Sequence, residues 1–392
     1  MKLLKDTWGL ILREFRLLWS NSVLRVIFLG APVCYALLLG SVYRSGKVTE
    51  LPLVLVDADR SPLSARAADM LEENETLHIA AVLSGDEDPK DAMLRSNAAL
   101  AVYIPENFEA DVLQRRYPEV RIDVNMANVL TANFATRAVQ TSLGTLNAGL
   151  ETEALKKSGV PASEALSRFE PFRISYVRNG NPSGNYMNFL WPGMLLTVLQ
   201  QVLLLAAALT FAWEWEHNTF GIELMRRARF PIQALLAKII PYWLGAWAIL
   251  GFFILAHYIL GVPLAASMLR LVLPANLFIL AVLCMGVLVS IWVPAQLKAT
   301  ELLMVVATPS FVLSGYTWPL EQMPQAVQWI AQAIPLTPFL EIFRKVWVSD
   351  ASLAQVQAPI QVLGIQLAVY GVLAWISLQY KYYKIKRNNE NG

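Results

Sequence analysis

VIFLGAPVCYALLLGSVY, residues Val26–Tyr43, is an apolar run close to the N-terminus. Read as a cleavable signal peptide, it leaves a secreted chain; read as a membrane helix, it anchors everything that follows. The amphipathic stretch MKLLKDTWGLILREFRLLWS precedes it, and no convincing small-residue cleavage site accompanies it. It therefore reads as a membrane-spanning helix rather than a targeting signal.

Working outward, the composition agrees. Hydrophobic residues make up 56% of the 392-residue chain and charged residues only 16%, against about 25% charged in soluble proteins. A helix needs about 20 mostly apolar residues to cross the hydrocarbon core. Five further segments qualify: Phe189–Ala212, Ile239–Leu260, Leu271–Val293, Ala299–Tyr316 and Val356–Tyr380. With the first, that predicts six transmembrane helices. Cys34 and Cys284 both fall inside apolar runs, which excludes a disulfide framework and a cysteine metal site. A net charge of +2 suggests no nucleic-acid partner.

Orientation follows from the basic residues in short loops. With the N-terminus inside, fourteen Lys and Arg, from Lys2 to Arg387, fall in inner segments, against Arg270, Arg344 and Lys345 outside. Both termini are thus expected in the cytoplasm of a bacterial inner membrane. Residues 1–22 read as an amphipathic helix in the membrane interface. Lys2, Lys5, Arg13 and Arg16 are expected on a headgroup-facing side, and Trp8, Ile11, Leu12, Phe15, Leu18 and Trp19 on the apolar side.

After the first span, 23–43, residues 44–185 are long enough for a domain with its own core. LPLVLVDAD, LHIAAVL, AALAVYIP and VRIDVNM read as strands alternating with helices, and FRISYVRNGNPSG as a last strand. The expectation is an α/β periplasmic domain between the first and second spans. Ser61 is placed as a helix N-cap with Pro62 first in the helix. Asp57 and Asp59 are better read as turn formers than as a catalytic pair. Residues 186–392 hold the remaining five helices. The fold class is an α-helical membrane protein with six transmembrane helices, an interfacial helix and an inserted extracytoplasmic α/β domain.

No chemistry is legible on the chain. GSVYRSGKV (Gly40–Val48) misses a Walker motif in spacing and in its last residue. LSGY (Leu313–Tyr316) superficially resembles an ATPase signature loop without other support. His217 and His257 stand alone, with no partner for metal binding or nucleophilic catalysis. Few ionisable residues fall in the spans, which argues against ion coupling.

Two segments carry the functional reading. The cytoplasmic loop 213–238, within WEWEHNTFGIELMRRARFPIQALLAKIIPYW, mixes acidic and basic residues in the manner of a docking surface. The segment 315–338 follows the fifth span, where Gly315 and Pro319 break the helix. Met323, Val327, Ile330 and Ile334 then form one face, opposite Gln325, Gln328 and Gln332. Broken backbone at membrane depth needs cover from protein or a water-filled cavity, so this reads as a re-entrant element at an outer gate. A plain interfacial loop anchored by Trp318 and Trp329 is the alternative.

Glu214, Glu216, Gly221, Glu223, Leu224, Pro231, Lys238 and Pro241 keep the order found in the type-2 family of ATP-binding-cassette (ABC) transporter permeases. FVLSGYTWPLEQMPQAVQWIAQAIPLTPFLEIFR (Phe311–Arg344) is similar to that family's signature near the fifth span. VDADRSPLS (Val56–Ser64) resembles the opening of the extracytoplasmic domain in its long bacterial members. The resemblance covers essentially the whole chain and implies an export permease subunit that hydrolyses nothing itself. No cofactor is expected here, ATP and Mg residing on a separate ATPase subunit. A second permease chain, identical or paralogous, is implied, and some such members work beside a periplasmic membrane-fusion protein.

For ATPase coupling the residues are Glu214, Glu216, Asn218, Thr219, Phe220, Gly221, Glu223 and Leu224, with Arg226 and Arg227 in support. For the outer gate they are Ser314, Gly315, Pro319, Met323 and Pro324. Thr197, Gln200, Gln201 and Ser310 either line a pathway or hydrogen-bond between helices. The competing functions are a non-transporting sensor or scaffold with a ligand- or partner-binding outer domain, and an ion-coupled carrier.

Overall fold

The computed structural model describes residues 2–83, 88–161, 164, 180–263 and 268–391. It divides into two compact units, Met1–Gly46 with Arg178–Gly392, and Lys47–Val177.

The smaller unit is α/β. Strands β1 (Leu51–Asp57), β2 (Leu77–Leu83), β3 (Leu100–Ile104) and β4 (Arg121–Val124) form one sheet in the order β2-β1-β3-β4. β1 pairs in parallel with β2 and β3, while β4 runs antiparallel to β3. Leu53 and Leu55 of β1 are buried in one core, and Val54 and Val56 in a second. A strand covered on both faces has no polar alternation to show, hence the run LPLVLV. Helices α4 (Pro62–Glu72) and α7 (Val129–Lys157) cover the first face, and α5 (Pro89–Arg95) the second; α6 (Phe108–Leu113) follows β3.

Asp57 ends β1 as the turn chemistry implies. Its carboxylate accepts from the amides of Asp59 and Arg60 and from Ser64 Oγ at 2.8 Å, and Ser61 and Ser64 complete a reciprocal cap on α4. Asp59 accepts from the Glu109 amide at 3.0 Å. The strand expected over FRISYVRNGNPSG falls mostly outside the described residues, and its described end, 180–184, is not strand.

The larger unit is helical. α1 (Lys2–Ser20) leads into α2 (Ser22–Arg25), a π-helical turn (Val26–Gly30) and α3 (Ala31–Val42). Then come α8 (Tyr186–Glu216), a π-helical turn (Phe220–Leu224), α9 (Met225–Arg227), α10 (Pro231–Leu260), α11 (Val272–Trp292) and α12 (Gln296–Ala307). α13 (Ser310–Leu313), α14 (Gln325–Ala333), α15 (Leu336–Ser349) and α16 (Gln357–Asn391) complete it.

Among the described residues four helices are long and apolar enough to cross a membrane: Tyr186–Glu216, Pro231–Leu260, Met268–Trp292 and Gln357–Arg387. The other two expected spans differ. Val26–Val42 is a shorter apolar helix. The fifth is interrupted, because Thr308 and Pro309 separate α12 from α13 and Gly315 then turns the chain at φ +77°; proline lacks the N–H that would continue the helix.

α8 is the axis of this unit. Trp191 is fully buried and donates from Nε1 to the Ala36 carbonyl at 3.1 Å, tying α3 to α8. Ser290 of α11 donates to the Ala208 carbonyl at 2.7 Å and accepts from the Phe211 and Ala212 amides. A Cβ on Gly286 would sit 2.5 Å from Ala207 Cβ, so the α8–α11 approach depends on that glycine.

One basic residue of the N-terminal helix is not placed as the sequence suggested. Leu10, Ile11, Glu14 and Leu18 are buried, while Trp8, Leu12 and Trp19 are exposed. Arg13, placed by sequence on the headgroup side, turns inward, because buried carboxylates compete for it.

Candidate functional site

At the C-terminal end of α8, five charged side chains from three separate stretches meet. Glu214 is fully buried and accepts from Arg13 Nη1 at 2.5 Å, Lys238 Nζ at 2.6 Å and Thr219 Oγ1 at 2.5 Å. Lys238, equally buried, also reaches Glu14 at 2.9 Å. Arg13 further contacts Glu14 at 3.1 Å and the half-exposed Glu223 at 3.2 Å. Burial pushes the Glu14 carboxyl above its ordinary value, with Lys238 pulling against it. The network fastens α1, the end of α8, the loop and α10 into one body. An unpaired charge in such a place costs several kcal/mol.

The loop beyond Glu214 is equally organised. α8 stops at His217, and Asn218 takes the left-handed conformation at φ +53°. Phe220 is buried, stacking on Trp215 at 4.1 Å and meeting Tyr382 edge-on at 5.9 Å. Tyr382 Oη donates to the Ala228 carbonyl at 2.6 Å. Lys381 Nζ lies 5.3 Å from the Trp215 ring and 4.9 Å from that of Trp292. Gln233 accepts from the Arg229 and Phe230 amides and donates to Thr7 of α1 at 3.2 Å. The π-helical turn is thus clamped from α16, α10 and α1.

This sorts the residues that sequence grouped as one coupling set. Glu214, Phe220 and Leu224 are buried and support the loop from within. Thr219 is half-buried on Glu214. Glu216 is exposed yet engaged: its carboxylate accepts from the Gln296 amide at 2.7 Å and from the Gln296 side chain. It therefore caps the N-terminus of α12, where a negative charge is favourable. Gly221 is half-buried with room for a Cβ. Asn218, Glu223, Arg226 and Arg227 are exposed. Sequence reasoning missed Ile222, which is 66% exposed at the centre of this edge. An isoleucine between acidic and basic neighbours was its available signal.

At the N-terminal end of α8, the broken segment packs back on the helix. Tyr316 is buried, donates to the Phe189 carbonyl at 2.5 Å and stacks on Phe189 at 5.3 Å. A Cβ on Gly193 would meet the Tyr316 ring at 2.6 Å. Gln200 is fully buried, donating to Ser310 Oγ and accepting from the Leu336 amide, each at 3.0 Å. Ser314 is buried and bonds the Phe311 carbonyl. Arg344 donates to the Gly315 carbonyl at 3.3 Å. A polar cleft of about 200 Å³ lies here, lined by Ser314, Gly315, Pro319, Thr337 and Arg344 among others. Met323 is half-buried and Pro324, exposed, starts α14.

The structure divides two of the expected groupings. The face expected from Met323, Val327, Ile330 and Ile334 is split: Ile330 is 59% exposed, and Ala331 and Ile334 make the buried contact. Short α14 is followed by a turn at Pro335, which rotates the pattern. Of the four polar residues offered as pathway lining, Gln200 and Ser310 bond each other between helices, and Thr197 bonds the Gly193 carbonyl in its own helix. Gln201 is half-buried.

A separate apolar cavity of about 220 Å³ lies between α8, α10, α11 and α15, lined by Leu196, Trp247, Phe253, His257, Phe339 and Trp347 among others. Among the described residues no group of His, Cys, Asp and Glu is arranged to hold a metal ion.

Comparison with known proteins gives the same picture. The model of the ABC-2 family transporter protein matches residues 22–376. The inner membrane transport permease YhhJ of Escherichia coli (strain K12) is 26% identical over 355 residues, 87% of this chain and 88% of that protein. The probable multidrug ABC transporter permease YbhS of the same organism is 30% identical over 171 residues, 43% of this chain and 45% of that protein. YbhR, likewise described, is 23% identical over 355 residues, 88% of this chain and 90% of that protein. The buried ionic end of α8, the broken segment at its other end and a match that runs nearly end to end lead to one assignment: the chain belongs to the ABC-2 transporter family, as a permease subunit of an ABC transport system.

Proposed function

We propose that the chain is an export permease of a bacterial inner membrane, crossing it six times with both termini in the cytoplasm and the α/β unit in the periplasm. The four long apolar helices, the shorter Val26–Val42 helix and the interrupted fifth segment support that count. The excess of Lys and Arg in the expected inner segments supports the orientation. ATP and Mg belong to a separate ATPase subunit, and two permease chains, identical or paralogous, form the pathway. A hydrophobic or amphipathic substrate suits the apolar cavity and the multidrug descriptions of YbhS and YbhR. A periplasmic membrane-fusion protein is an additional partner in this reading.

The observation that carries the coupling role is the exposed edge Asn218–Ile222–Arg226, held on a buried base of Phe220, Leu224 and the Glu214 network. An exposed aliphatic residue with charged neighbours on a rigid support is what a docking surface requires. Motion imposed there passes to α1, α8 and α10 together. The test is purification of the full chain from native membranes in mild detergent, with mass spectrometry and an ATPase assay on the eluate. Recovery of an ABC ATPase that falls several-fold in Ile222→Glu or Arg226→Glu supports docking at this edge. A chain that comes down alone supports the sensor or scaffold instead. Ligand screening of the full chain would then follow.

A further inference from the structure

A cleft of about 380 Å³ lies between α1 and the loop, lined by Gly9, Leu12, Arg13, Arg16, Glu223 and Arg227. Gly9, Leu12, Arg13 and Arg16 form a single stripe of α1, at the spacing that keeps residues on one helical face. A Cβ on Gly9 would meet nothing within 4 Å, so the floor is open.

The guanidinium groups in the cleft differ in one respect. Arg13 is consumed by Glu214 and Glu223. Arg16 and Arg227 are exposed, and neither makes an ion pair or side-chain hydrogen bond among the described residues. Arg13 and Lys238 have Glu14, Glu214 and Glu223 against them, whereas Arg16 and Arg227 have no ion-pair partner among the described residues, so the mouth of the cleft is electropositive and suits an anion. The location narrows which anion. Trp8, Leu12 and Trp19 of the same helix are exposed and large, and Leu12 is itself a wall of the cleft. Such side chains on a helix in a membrane protein mark the headgroup level.

We propose that this cleft binds the phosphate of one anionic phospholipid, bridged by Arg16 and Arg227, with its acyl chains running along Leu12 and Trp8. Guanidinium suits the role because its fork donates two parallel bonds to a phosphate. A zwitterionic lipid fits less well, since its ammonium sits beside two uncompensated arginines. The lipid ties α1 to the loop from the membrane side, opposite the Glu214 network. This proposal stands on the membrane location alone, whatever the direction of transport.

The experiment is native mass spectrometry of the full-length permease in mild detergent, titrated with dioleoyl phosphatidylglycerol, with dioleoyl phosphatidylcholine, or with the soluble headgroup analogue sn-glycerol 3-phosphate. The wild type is expected to retain one phosphatidylglycerol per chain, bound about fivefold or more tightly than phosphatidylcholine. Arg16→Gln and Arg227→Gln each weaken phosphatidylglycerol binding about fivefold. The double variant loses the preference, Arg16→Lys/Arg227→Lys recovers much of it, and Arg229→Gln, an exposed arginine outside the cleft, leaves it unchanged. Equal binding of the two lipids overturns the proposal, as does a preference that survives the double variant. Binding of glycerol 3-phosphate as tight as that of the lipid also overturns it, in favour of a soluble anion.

Discussion

Glu214 and Lys238 sit 2.6 Å apart, their side chains 0% and 1% exposed, where the end of one long helix meets the start of another. Arg13 closes on the same carboxylate from a third helix, 201 residues earlier in sequence. Because the three charges lie on different elements, the pair is a fastening, and its loss should be felt in all of them. Glu214→Gln leaves Lys238 and Arg13 short of a counter-charge in a buried site, so a loss of about 3–5 kcal/mol is expected. Thermal unfolding of the purified permease checks this, and a Tm equal to wild type would show that the network is dispensable.

Glu14 should behave differently, and with a defined pH dependence. Burial raises its carboxyl above 4.5, so the folded state favours the protonated form. The stability that this contributes is full below the ordinary value and is lost as pH rises through the raised one. Glu14→Gln is uncharged throughout. Its Tm, measured against wild type at increasing pH above 4.5, should gain on the wild type; a difference that stays constant would contradict the assignment.

Glu216 offers a sharper separation of roles. Its carboxylate caps α12 through the Gln296 amide, so Glu216→Ala should cost about 1 kcal/mol of stability, as other N-cap losses do. Ile222→Ala is expected to cost little stability, since Ile222 is exposed, yet to weaken ATPase recovery more than Glu216→Ala does. The reverse order of recoveries would return docking to Glu216.

The sequence pattern exposed some of this and concealed the rest for physical reasons. Strands such as LPLVLV and LHIAAVL, bounded by turn formers, were legible because local chemistry sets them. The cap at Ser61 and the turn at Asp57 were legible for the same reason. Arg13 was not. Helical periodicity places it on the polar side of α1, and only Glu214 and Lys238, distant in sequence, show why it turns inward. Gln200 presents the same difficulty. A polar residue in an apolar span reads equally as pathway or as helix–helix bond, and only the positions of Ser310 and Leu336 decide it. Glu216, likewise, is indistinguishable from a docking acid until α12 is seen to begin beside it.

Gln200 itself should be structural. Gln200→Leu keeps the volume but strands the Leu336 amide and removes the donor to Ser310. An unsatisfied buried group costs about 1–3 kcal/mol. Ser310→Ala removes the partner of the Gln200 donor and its own bond to the Ala307 carbonyl, but leaves the Leu336 amide bonded, and should cost less, about 1 kcal/mol. Unfolding of both variants in the same detergent tests the order, and equal costs would argue against the amide bond to Leu336 as the larger share.

Gly315 holds the break at φ +77°, a conformation that costs an L-residue about 1–2 kcal/mol. A Cβ there would also lie 3.3 Å from Leu320 Cβ, close enough that the following 3₁₀ turn, Leu320–Gln322, must give way. Its carbonyl receives Arg344, so a shift propagates to α15. Gly315→Val should therefore disturb the broken segment while leaving the distant Glu214 network and ATPase recovery intact. If the segment gates the pathway, export by native membranes falls several-fold at unchanged protein and ATPase levels. Export at the wild-type rate, with the Tm lowered, would instead make the segment a structural lid on α8. Gly315→Ala adds the smaller side chain at the same φ, so an export loss equal to that of Gly315→Val ties the effect to the left-handed backbone and the shared Cβ, whereas a loss that grows from Ala to Val ties it to side-chain bulk.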